Sequence, residues 1–256
     1  MSHTKEVELI HAIFQNNIEK LKQLEIINIG FEDNFYLRMA CSKGNLNFIK
    51  RLVKSGADIH IFDEEPLRNA IEGEFTDVVQ YLIDQGADIH CGNELPLIVS
   101  IENGNTKMLD LLIKNKANLE IKKEEILEIC FEKGFLQIVD YLWNQGIKIE
   151  ENIKELLLKA VENNHLNMIQ FVIEKEINIK PYYLELFQKA YHYQLEELID
   201  FFLINDYIII DHSLKLWCKN NNPQEEMIQK IESIEQKQYF EKELLIKKSE
   251  RKSIKI

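Results

Sequence analysis

Apolar residues along this chain recur as two adjacent positions, two intervening positions and two further apolar positions, and the pattern returns every thirty residues. The first two copies hold Phe48, Ile49, Leu52 and Val53, then Val78, Val79, Leu82 and Ile83. Positions i, i+1, i+4 and i+5 form one broad stripe on a helix, whereas a strand would alternate between its faces. The pattern therefore predicts a helix in each copy, over residues 46–54 in the first.

A second helix in each copy is indicated by a small residue, or a close substitute, that also recurs every thirty positions. These positions hold Ala40, Ala70, Ser100, Cys130, Ala160 and Ala190. A leucine three residues earlier, replaced by Phe187 in the last copy, keeps the helical spacing. The sequence thus predicts six units of thirty residues over 35–214, and in each unit a first helix (36–43 in the first unit) precedes the second.

Glycines mark the predicted helix ends. They stand after the first helix at Gly44, Gly104 and Gly134, and after the second helix at Gly56, Gly86 and Gly146. Glycine adopts the left-handed backbone conformation that ends many helices without steric cost. In the second unit Gly73 comes one position early, so that Glu74 occupies the turn, and we expect a less favourable turn there.

One such unit cannot bury enough apolar surface to offset the conformational entropy lost on ordering it. Neighbouring units must cover it, as in a solenoid, whose ends need polar caps. Residues 1–34 are expected to form an N-terminal capping repeat, since Leu9 and Ala12 keep the spacing of a first helix. We expect C-terminal capping helices over 215–245 and a frayed basic tail over 246–256.

The segments Tyr36-Leu37-Arg38-Met39-Ala40-Cys41, Gly44-Asn45-Leu46 and Gly56-Ala57-Asp58-Ile59-His60, the last repeated identically at 86–90, resemble the ankyrin repeat. The resemblance is closest to the short repeats found in arrays of giant DNA viruses of amoebae. It implies an all-α, ankyrin-type solenoid with short hairpin loops. It also implies a protein-binding module that engages a host or cellular protein through its concave face, without catalysis.

Two departures from the ankyrin pattern affect the expected loops. The usual unit has 33 residues, and the three missing residues fall between His60 and Pro66, so the projecting hairpins should be short. The Thr-Pro-Leu-His sequence that starts the family's first helix survives only as Glu65-Pro66-Leu67-Arg68 and Leu95-Pro96-Leu97-Ile98. The hydrogen bonds of that threonine and histidine are therefore lost.

The net charge and the composition limit which classes of partner and which cellular location are expected. The formal net charge is -12, which repels phosphate backbones and favours a protein with a basic surface over nucleic acid, although the acidic surface could serve solubility alone. No apolar run has the length of a signal peptide or a spanning helix. We expect a monomer in the cytoplasm, that of the host if the protein is viral, with no secretion and no membrane segment. The four cysteines form no CxxC pair, so buried free thiols are expected.

Catalytic and metal-binding patterns are absent from the sequence. There is no phosphate-binding glycine loop, nucleophile elbow, HExxH motif or His and Cys grouping with metal spacing. His60 and His90 occupy equivalent positions that should lie on the order of 10 Å apart, too far for one ion with ~2 Å bonds to bridge. We therefore expect no enzyme activity, no metal and no cofactor, and we assign both histidines to loop hydrogen bonds.

The ankyrin resemblance places the contact surface on hairpin tips and on the exposed ends of the first helices. Glutamate occupies the same helix-end position in four consecutive units: Glu72, Glu102, Glu132 and Glu162. The expected loop tips add the acidic residues Asp63, Glu64, Glu65, Glu94, Glu124 and Glu125. Such an acidic ladder would attract a basic partner. The alternative is a solvated helix face that tolerates any polar residue.

The last unit offers an aromatic candidate site. Tyr182 and Tyr183 are expected at the loop tip, and His192 and Tyr193 at the helix end. Exposed aromatic side chains often anchor interfaces, although this unit also uses aromatics for its core. A separate alternative function is binding of nucleic acid or an anionic surface by the basic tail, which has five cations: Lys247, Lys248, Arg251, Lys252 and Lys255.

Overall fold

The structure of this protein is a computed structural model that describes residues 3–15, 17, 19–20, 34–205, 207–208, 210–221 and 225–253. These residues form helices and no strands. In chain order the helices are α1 His3–Phe14, α2 Phe35–Ser42, α3 Leu46–Lys54, α4 Ile61–Glu72, α5 Thr76–Asp84, α6 Cys91–Glu102, α7 Thr106–Lys114, α8 Lys123–Lys133, α9 Leu136–Asn144, α10 Ile153–Glu162, α11 Leu166–Glu174, α12 Tyr183–His192, α13 Glu196–Ile204, α14 His212–Asn220 and α15 Glu225–Ser253. Short 3-10 helices precede α8 at Leu119–Lys122 and α12 at Lys180–Tyr182.

The second helices repeat with a period of thirty residues. Each contains nine residues, and they begin at Leu46, Thr76, Thr106, Leu136, Leu166 and Glu196. A first helix precedes each of them, so the predicted all-α architecture of repeated helix pairs is confirmed. The helices form because each apolar stripe is buried, as for Phe48, Ile49 and Leu52 of α3.

The chain divides into two compact units. Unit 1 comprises residues 1–130 and 137–148, and unit 2 comprises residues 131–136 and 149–256. In unit 1 the first helices pack side by side, α2 against α4 and α4 against α6, while each also packs against its own second helix. In unit 2, α10 packs in the same way against α12, and α15 packs against α13 and α14.

The small residue of each first helix is completely buried. The six positions, each with 0% exposure, hold Ala40, Ala70, Ser100, Cys130, Ala160 and Ala190. In five of the six repeats, the carbonyl of this residue accepts a hydrogen bond from the backbone N–H five residues later, for example Asn45 to Ala40 at 3.1 Å and Phe75 to Ala70 at 3.0 Å. This bond closes the helix end as in a Schellman motif.

The turn after every first helix has one residue with positive φ. These residues are Gly44, Glu74, Gly104, Gly134, Asn164 and Gln194, with φ between 60° and 71°. Glu74 therefore adopts the left-handed conformation that glycine provides in three of the other repeats, at a steric cost of about 1 kcal/mol. The ring of Phe75 lies where a side chain at Gly44 or Gly73 would point, which leaves no room for a Cβ atom at either position.

Helices α1 and α15 flank the repeated helix pairs. In α1, Leu9 and Ala12 are buried at 1% and 2% exposure, whereas residues 21–33 of the expected N-terminal cap lie outside the described part of the chain. Met227 and Ile231 of α15 are buried, and its Lys230 pairs with Asp200 at 2.6 Å. The backbone of α15 continues to Ser253, into the segment expected to be frayed.

Alanine at Gly44 should destabilise the protein more than alanine at Gly86, because the two glycines share a left-handed backbone but differ in surroundings. A Cβ atom at Gly86 meets nothing within 4 Å, whereas one at Gly44 would overlap the Phe75 ring. We expect Gly86→Ala to lower the free energy of unfolding by about 1 kcal/mol and Gly44→Ala by about 2 to 4 kcal/mol. Urea denaturation followed by circular dichroism measures both.

The converse substitution tests the equivalent turn of the second repeat. Glu74→Gly should raise the free energy of unfolding by up to about 1 kcal/mol, because it removes the left-handed strain without removing a buried contact. Equal losses for Gly44→Ala and Gly86→Ala would contradict the role assigned to the Phe75 ring.

Candidate functional site

Two first helices of unit 1, α4 and α6, end with exposed glutamates beside buried aliphatic side chains. Glu72 and Glu102 are exposed and directly follow Ile71 and Ile101, which have 1% and 0% exposure. The helices thus bury one residue and present the next to solvent. This places two members of the acidic ladder on the surface of unit 1.

In unit 2 the equivalent glutamates form ion pairs with the next first helix. Glu132 Oε2 lies 3.4 Å from Lys159 Nζ, and Glu162 forms an ion pair with Lys189. In both pairs the lysine follows the glutamate by 27 residues. The ladder is therefore partly neutralised in unit 2, although all four glutamates are exposed.

The helix end of α12 exposes the predicted aromatic residues. Tyr193 is 45% exposed, and its ring makes an edge contact with His192 at a centroid distance of 5.4 Å. Lys189 Nζ lies 5.7 Å from the Tyr193 ring, so the lysine that pairs with Glu162 also contacts the aromatic patch. His192, Tyr193, Lys189 and Glu162 thus form one exposed cluster on unit 2.

The tyrosines expected at the loop tip are only half-buried. Tyr182 ends the 3-10 helix and Tyr183 begins α12. The Tyr183 ring lies against the Tyr207 ring, with 4.7 Å between centroids, and also contacts Phe202 at 6.0 Å. Tyr183 therefore packs against core side chains on one side of its ring and lines a groove on the other.

The prediction that Glu64 and Glu94 project from loop tips is wrong. Their exposed fractions are 5% and 1%, and the Oε1 atom of each lies 2.5 Å from Nδ1 of a histidine, His60 and His90 respectively. The histidine ring donates to the carboxylate, and its backbone N–H donates to Asp58 or Asp88. The carboxylates are buried because the loop folds back on itself, whereas Asp63 stays exposed.

Three consecutive residues in each of these two loops have a left-handed backbone. They are Phe62, Asp63 and Glu64 in the first loop, and Gly92, Asn93 and Glu94 in the second. The repeat pattern did not identify Phe62 as unusual. Its side chain is 51% exposed, and its φ is 50° at a position where the next thirty-residue repeat has glycine. The Arg38 guanidinium lies 5.1 Å from its ring, and Arg68 donates to its carbonyl at 2.9 Å.

The pKa values of the titratable groups are shifted by burial and by hydrogen-bond partners. The hydrogen bond to Glu64 holds the pKa of His60 above its ordinary value, with Asp58 and Asp88 acting in the same direction. Burial raises the pKa of the Cys91 and Cys130 thiols to about 12 and that of Cys218 to about 11. All four cysteines, Cys41 included, are buried and unpaired in disulfides, so their thiolate forms are strongly disfavoured.

Among the described residues, no group of three or more His, Cys, Asp or Glu side chains is arranged to hold a metal ion. Within the same part of the chain, no helix has both the length and the apolar content needed to cross a bilayer. The side chains of the basic tail, Lys247 to Lys255, lie outside the described part, so the alternative role of the tail stays a prediction.

Helix pairs closed by left-handed turns and repeated every thirty residues define a helical repeat protein. A family model for ankyrin repeats (three copies) matches this chain in four overlapping placements, at residues 9–93, 37–123, 67–153 and 97–183. The matched region covers more than half of the chain. The chain therefore belongs to the ankyrin repeat family.

Solved structures show the same fold. The crystal structure of the human ASB11 ankyrin repeat domain matches with a TM-score of 0.56 and 19% sequence identity, over 67% of this chain and 84% of that chain. At this identity the similarity concerns the fold alone. A search of the curated proteins finds no match.

Replacement of His60 should destabilise the protein most at low pH. Because the folded-state pKa of His60 is raised, its contribution is fully present below about pH 6.5, the ordinary value, and is lost as pH rises through the raised pKa. We expect His60→Gln to have a lower unfolding temperature than the wild type at about pH 5.5, and the difference to shrink by about pH 9. Differential scanning fluorimetry at matched ionic strength measures it.

Glu64→Gln is the matched control, since it removes the other half of the same pair and should show the same pH dependence. A difference between wild type and His60→Gln that grows with pH would show that the pair does not stabilise the charged histidine.

Proposed function

We propose that this chain is a non-catalytic module that binds a protein through the exposed ends of its first helices. Ankyrin repeats are in general protein–protein interaction modules, which supports the class of function. The proposed partner is a host or cellular protein with a basic surface, bound in the cytoplasm by a monomer of this chain. We assign these helix ends to the face that the ankyrin resemblance implies is concave.

The observation that carries this proposal is the exposure of Glu72 and Glu102 at the helix ends, directly after the buried residues Ile71 and Ile101. The fold requires the buried residues before them, but it does not require a carboxylate at the exposed position. The first thirty-residue repeat has Ser42 there. Carboxylates on a rigid surface steer a basic partner and suppress acidic ones.

Unit 2 supports the proposal with different chemistry. Its Glu132 and Glu162 are held by Lys159 and Lys189, and exposed ion pairs of this kind contribute at most about 1 kcal/mol each. A basic partner gains less from them because the lysines already neutralise part of their charge. Tyr193 and His192 instead offer aromatic surface with few rotatable bonds, which suits an interface anchor.

The double variant Glu72→Lys/Glu102→Lys should weaken binding of a native basic partner by at least about tenfold, because it replaces attraction by repulsion at both positions. Affinity capture from expressing cells with quantitative mass spectrometry identifies proteins that bind the wild type. Biolayer interferometry with the purified partner then measures the affinity of each variant.

The matched control is Asp84→Lys/Glu174→Lys, which changes the net charge by the same amount. Both residues are exposed at the last position of a second helix. Other thirty-residue repeats have Lys54 and Lys114 at this position. Equal loss of binding in the two double variants would reduce the effect to net charge. Unchanged binding in Glu72→Lys/Glu102→Lys would exclude the first-helix surface of unit 1.

A further inference from the structure

Two loops of unit 1 share a backbone shape but differ at their left-handed positions. The first His–Glu loop is residues 58–64, and the second His–Glu loop is residues 88–94. Each ends in three left-handed residues, whose φ angles are 50°, 54° and 61° in the first loop and 56°, 56° and 66° in the second. The first of the three is Phe62 in one loop and Gly92 in the other. Because glycine adopts this conformation freely and a bulky residue does not, only the first loop is strained at this position.

Each loop buries a carboxylate against one histidine. The side chains of Glu64 and Glu94 are 6% and 1% exposed, and Oε1 of each lies 2.5 Å from Nδ1 of His60 or His90. The Oε2 atoms are buried and have no hydrogen-bond partner among the described residues. Both histidines are about half-exposed, so solvent reaches the ring that carries the proton of the pair. Each buried carboxylate therefore depends on the protonation of an exposed histidine.

The groups around His60 favour its protonated form. The hydrogen bond to Glu64 is the main cause that holds the pKa of His60 above its ordinary value, and burial acts in the opposite direction. Two further carboxylates raise this pKa: Asp58 of the same loop and Asp88 of the second loop. The pair thus retains its proton to a higher pH than a free histidine does.

Neighbouring groups on α2, α4 and α6 do not replace the histidine as a partner of Glu64. Arg68 of α4 donates to a backbone carbonyl of the loop, and Arg38 of α2 forms an ion pair with Glu65 at 3.0 Å. The Cys91 thiol of α6 is neutral because burial raises its pKa to about 12. Among the described residues, the histidine is the only basic group within ion-pair distance of the Glu64 carboxylate.

Loss of the His60 proton to solvent leaves the Glu64 carboxylate buried without a charged partner. A buried charge of this kind is unfavourable unless it is neutralised or moved into water. In the first loop, opening also releases the strain at Phe62, whereas the second loop has no such strain to release. We propose that the first His–Glu loop is a pH-dependent switch, closed while His60 is protonated and open, with Glu64 in solvent, when His60 is neutral.

Opening changes the charge of this surface of unit 1. The closed pair has no net charge, whereas the open loop has a free carboxylate beside the exposed residues Asp58 and Asp63. Because the pKa of His60 is raised in the closed loop, the closed state is fully favoured below about pH 6.5 and loses its advantage as the pH rises through the raised value. The surface therefore becomes more acidic as the pH rises. This inference does not rest on the protein-binding role of Glu72 and Glu102.

Glutamyl endopeptidase measures the opening directly, because it cleaves after a glutamate only when that side chain enters the protease. The purified full chain is treated briefly at pH values from about 6 to about 8.5, and mass spectrometry gives the initial cleavage rates after Glu64 and Glu94. Each rate is divided by the rate for a synthetic peptide of residues 58–68 or 88–98 at the same pH. We expect the normalised rate after Glu64 to rise by at least about tenfold, and the rate after Glu94 by less than about threefold.

Three variants separate the proton from the strain. His60→Lys supplies a partner that stays charged over this range, so the rate after Glu64 should stay at the low wild-type value of about pH 6. His60→Gln supplies no charged partner, so the rate should already be at least about fivefold above the wild type at about pH 6. Phe62→Gly makes the first loop resemble the second, so the rise should fall to that measured after Glu94. The matched control is His90→Gln, which should leave cleavage after Glu64 unchanged.

The proposal is overturned by a normalised rate after Glu64 that does not rise with pH, by an equal rise after Glu94, or by an unchanged rise in His60→Lys. A loss of the helical circular dichroism signal over the same pH range would attribute the cleavage to unfolding of the helices and would overturn it too. A protein whose loop opens but which captures no basic partner retains the switch and loses the surface at Glu72 and Glu102.

Discussion

The hydrogen bond that closes the first helix in five of the six repeats is the interaction on which the rest of the repeat depends. One left-handed residue reverses the chain, and the next amide donates to the carbonyl of a fully buried small residue, as Asn45 does to Ala40. A larger residue at that position would separate the two helices, whereas a different turn would shift the second helix in register. This combination fixes the thirty-residue period, because each second helix begins at the same distance from the turn.

Fixed turns leave the exposed helix ends free to vary, and the two units use this freedom differently. Unit 1 presents Glu72 and Glu102, while unit 2 places lysine partners beside Glu132 and Glu162 and adds Tyr193. The hairpins change as well: the left-handed loops with a His–Glu pair occur at His60 and His90, whereas 3-10 helices take their place at Leu119 and Lys180. A regular scaffold thus carries chemically distinct surfaces.

The sequence was sufficient for the helices because apolar spacing and turn glycines act locally. It was insufficient for Glu64 and Glu94, which look like polar loop residues until the left-handed backbone brings each onto its histidine. The identical spacing of these pairs, four residues apart in two consecutive units, was the available signal. Likewise, Glu132–Lys159 and Glu162–Lys189 share a separation of 27 residues, which the thirty-residue period places on adjacent first helices.

Some residues differ from those at the equivalent positions of other repeats. At these positions the requirements of folding alone do not explain which residue is present. Phe62 adopts a left-handed conformation where the next unit uses Gly92, and a bulky residue there costs about 1 to 3 kcal/mol unless its surroundings compensate. Arg38 and Arg68 hold the loop but leave half of the ring exposed. Tyr183 and Trp217, which line the groove of unit 2, are likewise only half-buried. In a repeat protein, the residues that break the pattern and stay exposed are therefore the strongest candidates for recognition.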